Sequence, residues 1–250
     1  MIIDIRGVGD RSAKLTSCAA KLIAGAAILC SVAAVAPGRS SRPGKQEPKY
    51  EMGTFYLCLL IKPANFAVDR VPQDLLQSHF KHAQALIASG KAAIAGPFGD
   101  DTRIAGVFVV NASSSEEARA LEDADPLVKT AGFSVEVLKW WAAKGIMKPA
   151  PPTKTATYYF SFLRHGPKWT PEKTPETEKL QAAHMANINA MAKIGKLVIA
   201  GPFENGGDYA GVYVFKVSSL EEAKALAESD PAIKAGRLVA EVHPWLVAEG

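Results

Sequence analysis

The chain carries two related copies of one sequence pattern. Residues 79–141 align without a gap on residues 184–246, at a constant offset of 105 (184 − 79). Identical pairs include His79 and His184, Gly90-Lys91 and Gly195-Lys196, Ile94 to Phe98 and Ile199 to Phe203, and Ala105 to Val107 and Ala210 to Val212. They continue through Ser113-Ser114 and Ser218-Ser219, Glu116 to Ala118 and Glu221 to Ala223, Asp125-Pro126 and Asp230-Pro231, and Trp140 and Trp245. Upstream, Thr54-Phe55-Tyr56 falls on Thr157-Tyr158-Tyr159 at an offset of 103, so the loop after the first strand is two residues longer in the second copy. A duplication of this kind fixes the scale of the fold, because one unit of about 90 residues must fold in two copies.

Within each copy the apolar period changes in a fixed order. Thr54 to Ile61 is an apolar, aromatic-rich run closed by Pro63, which predicts a buried strand. Val71 to Ser89 places Leu75, Leu76, His79, Ala83, Leu86 and Ile87 at helical spacing and stops at Gly90. Strands follow over Ala92 to Ala95 and Ile104 to Val110, then a helix over Ser114 to Asp123 and a last strand over Phe133 to Trp140. Repeat 2 gives the same order over Thr157 to Leu163, Pro175 to Lys193, Lys196 to Ala200, Tyr209 to Val217, Ser219 to Ala227 and Leu238 to Trp245. The pattern βαββαβ is the ferredoxin-like α+β arrangement, an antiparallel sheet with both helices on one face. The other face, taken here to be lined by Tyr56, Val107, Val109 and Trp140, would be left wet. Intramolecular packing of the two sheets face to face supplies its cover.

The repeats occupy residues 53–141 and 156–250. Between them, residues 142–155 contain Pro149, Pro151 and Pro152 and read as an extended linker. Residues 37–52 read as a flexible tether. Residues 1–36 differ in kind: Arg6, Arg11, Lys14 and Lys21 precede an apolar run from Leu22 to Ala36 that ends in small residues. This is the pattern of a secretory signal peptide, and the run is short of the roughly 20 residues a membrane span needs. Cleavage after Ala33, Ala34 or Ala36 fits equally. An exported protein, periplasmic or extracellular, is expected.

Cys18 and Cys30 lie in that leader, so only Cys58 remains afterwards and no internal disulfide can form. The net charge of +4 loses four positive and two negative charges with the leader and becomes +2. Neither a membrane surface nor nucleic acid is an expected partner of so weak and scattered a charge.

The ordered set of a helical His about a dozen residues before Gly, Ala-Gly-Pro, a Gly-containing apolar strand, Ser-x-Glu-Glu-Ala and Asp-Pro resembles the YCII-related domain family. The resemblance covers nearly all of both repeats. It implies a dimeric ferredoxin-like α/β-barrel, here closed within one chain, with a His and an Asp as an acid/base pair. Some relatives take part in breaking down aromatic compounds by removing chloride; most have no assigned reaction. Carried over, the histidines are His79 and His184, and the carboxylates Asp125 and Asp230.

An imidazole ordinarily titrates near neutrality, so it can take and give a proton at working pH, and a carboxylate on its far nitrogen fixes its tautomer. His79 shares a helical stripe with Leu75, Ala83 and Ile87, and His184 shares one with Leu180 and Ile188, so both rings turn toward the sheet. A hydrogen-bonded core histidine fits the same stripe. Asp before Pro is also the ordinary start of a short helical turn, with Asp as N-cap.

Gly96-Pro97-Phe98 and Gly201-Pro202-Phe203 are candidates to line a ligand cleft, although Gly-Pro is equally a turn signal. His82, His165 and His243 have no counterpart in the other repeat and read as local surface or edge residues. No metal site is expected, because the nearest case, His79 with His82, meets Asn187 in repeat 2. No cofactor motif is present, since Gly206-Gly207 lacks the Lys and the spacing of a phosphate loop.

Two functions fit: a lyase or isomerase with a His-centred site in each repeat, or a module that binds a small molecule without changing it. If the leader is cut as expected, mass spectrometry of the protein from its native host finds an N-terminus at Ala34, Val35 or Pro37. Intact Met1 in the cytoplasm contradicts export.

Overall fold

The computed structural model describes residues 51–67, 71–144, 154–204 and 206–249. The expected leader and most of the tether lie outside them. Repeat 1 runs β1 (Met52–Ile61), α1 (Gln73–Ala88), β2 (Ala92–Pro97), β3 (Ile104–Val110), α2 (Ser115–Asp123), α3 (Pro126–Thr130) and β4 (Ser134–Ala143). Repeat 2 runs β5 (Lys154–His165), α4 (Pro175–Lys193), β6 (Leu197–Glu204), β7 (Tyr209–Phe215), α5 (Leu220–Glu228), α6 (Pro231–Lys234) and β8 (Leu238–Glu249). Beyond the βαββαβ order, each copy has one short extra helix, α3 or α6, which starts at its Asp-Pro pair. Among the described residues no helix is long and apolar enough to cross a membrane.

Local chemistry sets the ends of these elements. Ser114 and Ser219 cap α2 and α5 by accepting from the backbone N–H of Glu117 and Glu222. Thr174 and Thr177 make a reciprocal capping box at the start of α4. Gly90 and Gly195 follow α1 and α4 with φ of 74° and 73°, a conformation that costs glycine nothing.

Each repeat forms an antiparallel sheet, β2-β3-β1-β4 and β6-β7-β5-β8, and the two join into one eight-stranded order. At one seam β4 pairs with β6 through Lys139 with Glu204 and Trp140 with Phe203. At the other, Phe98 bridges to Trp245 and the Gly99 N–H donates to the Pro244 carbonyl at 2.8 Å. The strands therefore close into a barrel through these two seams, and the expected face-to-face packing of the two sheets fills its interior.

The strand period of two sorts the side chains. Phe55, Leu57, Leu59, Val107, Val109 and Trp140 point into the barrel and meet Phe160, Phe162, Val212, Val214, Trp245 and Val247 of the other repeat. Tyr56, Cys58 and Leu60 take the opposite face, under α1 and α2 with Leu86, Phe108 and Val110. Tyr56 thus lies on the helix side, a correction to the sequence reading that follows from its odd spacing from Leu57. Repeat 2 has the matching outer layer of Tyr159, Leu163, Met191, Tyr213 and Phe215.

The Gly-Pro pairs are strand residues rather than turns. β2 runs on to Pro97 and β6 to Glu204, because each glycine is where the neighbouring repeat comes closest. A Cβ on Gly96 would stand 2.0 Å from the Leu246 carbonyl oxygen, and one on Gly201 would stand 2.3 Å from that of Trp141. Trp245 Nε1 donates to the Gly96 carbonyl at 3.0 Å and Trp140 Nε1 to that of Gly201 at 3.1 Å. The two buried tryptophans of β4 and β8 therefore pin both seams, each across the repeat boundary.

Candidate functional site

In each repeat the long helix and the Asp-Pro turn are packed against the outer sheet face, and this brings a histidine to an aspartate. His79 Nδ1 lies 2.6 Å from Asp125 Oδ2, and His184 Nδ1 lies 2.7 Å from Asp230 Oδ2. The second oxygen of each carboxylate is also used: Oδ1 accepts the Leu127 N–H at 2.8 Å in repeat 1 and the Ala232 N–H at 2.7 Å in repeat 2. The helix cap and the imidazole partner are therefore one side chain. A carboxylate held this way has one oxygen fixed by a backbone N–H, which orients the other toward the ring it binds.

Both aspartates are fully buried, while the histidine side chains keep 14% and 12% of their surface exposed. An ionised carboxylate accepts, so the ring donates Nδ1–H to it, and Nε2 is the nitrogen not engaged by the aspartate. Phe80 and Met185, the residues next to each histidine, occupy equivalent positions and are both exposed, at 52% and 36%. In repeat 1 the Phe80 ring lies 5.5 Å from that of His79.

The surroundings of the two pairs differ. Tyr213 donates to Asp230 Oδ2 at 2.5 Å and lies 3.3 Å from His184 Nδ1. Burial pushes the Asp230 carboxyl up, but the hydrogen bonds from His184 and Tyr213 outweigh it and hold the group below its ordinary value. Burial and the Asp230 charge push the Tyr213 phenol up, so it stays a donor. Repeat 1 has Phe108 at that position, with its ring 6.0 Å from that of His79. It places His82 and the buried Glu122 near Asp125 instead. Burial, with the charges of Asp125 and Asp123, pushes the Glu122 carboxyl up to about 8.

The other sequence candidates are placed elsewhere. Gly96, Pro97 and Phe98, with Gly201, Pro202 and Phe203, sit along the barrel seams, where Phe98 packs on Phe160 and Phe162. His243, read as a local surface or edge residue, lies on the edge strand β8 but is buried across the seam: its Nδ1 lies 2.8 Å from Asp100 Oδ2 and its ring stacks on Phe98 at 4.8 Å. The inter-repeat packing that buries it involves residues 143 positions apart and leaves no local signal. His165 does stay local, stacked on Trp169 at 3.9 Å. A polar depression of about 400 Å³ lies where Arg103, Glu136, Arg164, Asp208, Tyr209 and Glu241 meet, and neither His–Asp pair lines it.

Comparison with known proteins bears on the family and the fold. The family model for the YCII-related domain matches residues 54–141 and 163–246. The uncharacterized protein YjpA of Bacillus subtilis is 31% identical over 85 residues, which cover 34% of this chain and 92% of YjpA, one repeat of the two. Among solved structures, a heme-binding protein from Thermus thermophilus has a TM-score of 0.53 at 11% identity, covering 79% of this chain and 93% of its own. A chlorite dismutase variant from Candidatus Nitrospira defluvii has a TM-score of 0.55 at 12% identity, covering 80% and 92%. At such identities the likeness extends to the fold, the dimeric α/β-barrel, and not to a ligand.

Tyr213→Phe gives repeat 2 the residue that repeat 1 has, and tests how Asp230 is held. Because the wild-type carboxyl is depressed, its bonds stabilise the fold above the ordinary carboxylate range and lose that effect as pH falls through the folded value, below 3.8. Denaturant unfolding of Tyr213→Phe should show a loss of about 1–3 kcal/mol at neutral pH that shrinks in acid. A loss independent of pH contradicts the assignment.

Proposed function

The chain belongs to the YCII-related domain family, and on that premise we propose that it is an exported small-molecule lyase or isomerase with one His–Asp acid/base site in each repeat. The observation that carries this reading is the recurrence of one geometry, Nδ1 on a carboxylate whose other oxygen accepts a backbone N–H, in two sites whose other neighbours differ.

The geometry assigns the steps. Nδ1–H is held on the aspartate, so Nε2 takes a proton from a substrate carbon or hydroxyl beside it. The imidazolium that forms is stabilised by the buried carboxylate, which stays ionised. The same Nε2–H then returns the proton, to a leaving group in an elimination or to another carbon in an isomerisation. Positioned proton transfer of this kind contributes about 10²–10⁴-fold in rate. In repeat 2 Tyr213 holds the carboxylate in its ionised form. Phe80 and Met185 supply an apolar surface for a substrate with some hydrocarbon character.

A second reading has its own support: Asp125 and Asp230 cap helices, which a purely structural carboxylate would do equally in a small-ligand binding module. His79→Gln and His184→Gln separate the two, assayed against a panel of small carbon acids and hydroxy acids. The acid/base reading expects a nearly unchanged melting temperature and a turnover loss of roughly a hundredfold or more. Early melting, with about 1–3 kcal/mol lost and ligand binding retained without turnover, supports the binding module and overturns the enzyme.

A further inference from the structure

Repeat 1 holds two side chains that the acid/base site does not use, His82 and Glu122, beside the aspartate that it does. His82 stands on α1 one turn beyond His79, Glu122 lies in the last turn of α2, and Asp125 caps α3. Each offers one ligand atom, and these atoms all lie within 4.8 Å of one another. Donors bound to one ion at about 2.1 Å stand at most about 4.2 Å apart, so a small side-chain movement completes the set.

The second observation is Glu122 itself. It is only 1% exposed, and neither of its carboxylate oxygens has a hydrogen-bond partner. The Nε2 of His82 is likewise buried and without a partner. An isolated buried carboxyl costs several kcal/mol, and native interiors rarely leave such a group unmatched unless water or an ion matches it. Repeat 2 shows that the fold does not need these residues: Asn187 and Ala227 stand at the two positions, and Ala227 packs fully buried. Its Asp230 remains, bonded to Tyr213 instead.

We propose that repeat 1 carries a divalent transition-metal site formed by His82, Glu122 and Asp125, and that repeat 2 has none. One imidazole nitrogen with two carboxylate oxygens is a borderline-to-hard donor set, suited to Zn²⁺ and Mn²⁺ and unsuited to soft monovalent copper. Two carboxylates balance the charge of a divalent ion in a site poor in water. Three protein ligands leave further positions open. Asp125 would be shared, with one oxygen already on His79, so this imidazole becomes the outer partner of a metal-bound carboxylate. The proposal does not depend on the acid/base reading.

The test is titration of the tag-free, chelator-treated full chain with Zn²⁺ by calorimetry, with Co²⁺ absorption as a second readout. One ion per chain is expected, with a rise in melting temperature. His82→Asn and Glu122→Ala, the residues repeat 2 has at these positions, should each weaken binding at least about tenfold. Glu122→Gln keeps the side-chain volume and replaces Glu122→Ala if that variant fails to fold. Absence of Zn²⁺, Co²⁺ and Mn²⁺ binding at millimolar concentration overturns the site. Binding that persists unchanged in His82→Asn and the Glu122 variant also overturns it.

Discussion

Each repeat builds a sheet that is apolar on both faces, and the helices it carries cover only one. Everything else in the molecule follows from how the second face is buried. Phe55, Leu57, Val107 and Trp140 on one side and Phe160, Phe162, Val212 and Trp245 on the other form a single core to which both copies contribute. Its aromatic side chains each bury about 150–250 Å². The indole N–H groups of Trp140 and Trp245 cannot be left unpaired in such a core, and each finds a carbonyl in the opposite repeat, Gly201 and Gly96. Those glycines in turn exist because the neighbouring strand leaves no space for a Cβ. The outer faces are then free to carry the helices, and with them the two His–Asp pairs.

Much of this was legible in the sequence, because it rests on local periodicity seen twice. Strand and helix order, the stop at Gly90 and Gly195 and the Asp-Pro caps all come from residues within a few positions of one another. What was not legible depends on contacts between the repeats. Gly96-Pro97 and Gly201-Pro202 look like turns to any local rule, yet they are strand residues held open by the approach of Leu246 and Trp141. His243 looks like an isolated surface residue until the second seam brings Phe98 and Asp100 onto it. Tyr56 was assigned to the wrong face because an apolar run does not show its phase; only pairing fixes which alternate residues look inward.

The site was half legible. The histidines and aspartates were visible as a repeated set, but their surroundings were not. A tyrosine within an apolar strand reads as core, and Glu122 within a charged helix reads as solvated. The signal that singles them out lies in the comparison of the copies: Tyr213 corresponds to Phe108, and Glu122 to Ala227, at positions that otherwise share their burial. Duplication left one carboxylate geometry in both halves and changed what touches it. In repeat 2 a phenol supports the aspartate; in repeat 1 a second imidazole and a second carboxyl stand beside it. One scaffold thus holds two chemically distinct versions of the same pair.

The account rests most heavily on the claim that neither repeat covers its own inner face. Repeat 2 expressed alone, from Ala156 to Gly250, puts that claim to its most direct measurement, its mass in solution by analytical ultracentrifugation. The isolated repeat should pair with a second copy of itself through Phe160, Phe162, Val212 and Trp245, and so sediment as a folded species of twice its own mass. A stable, well-folded monomer would contradict the claim.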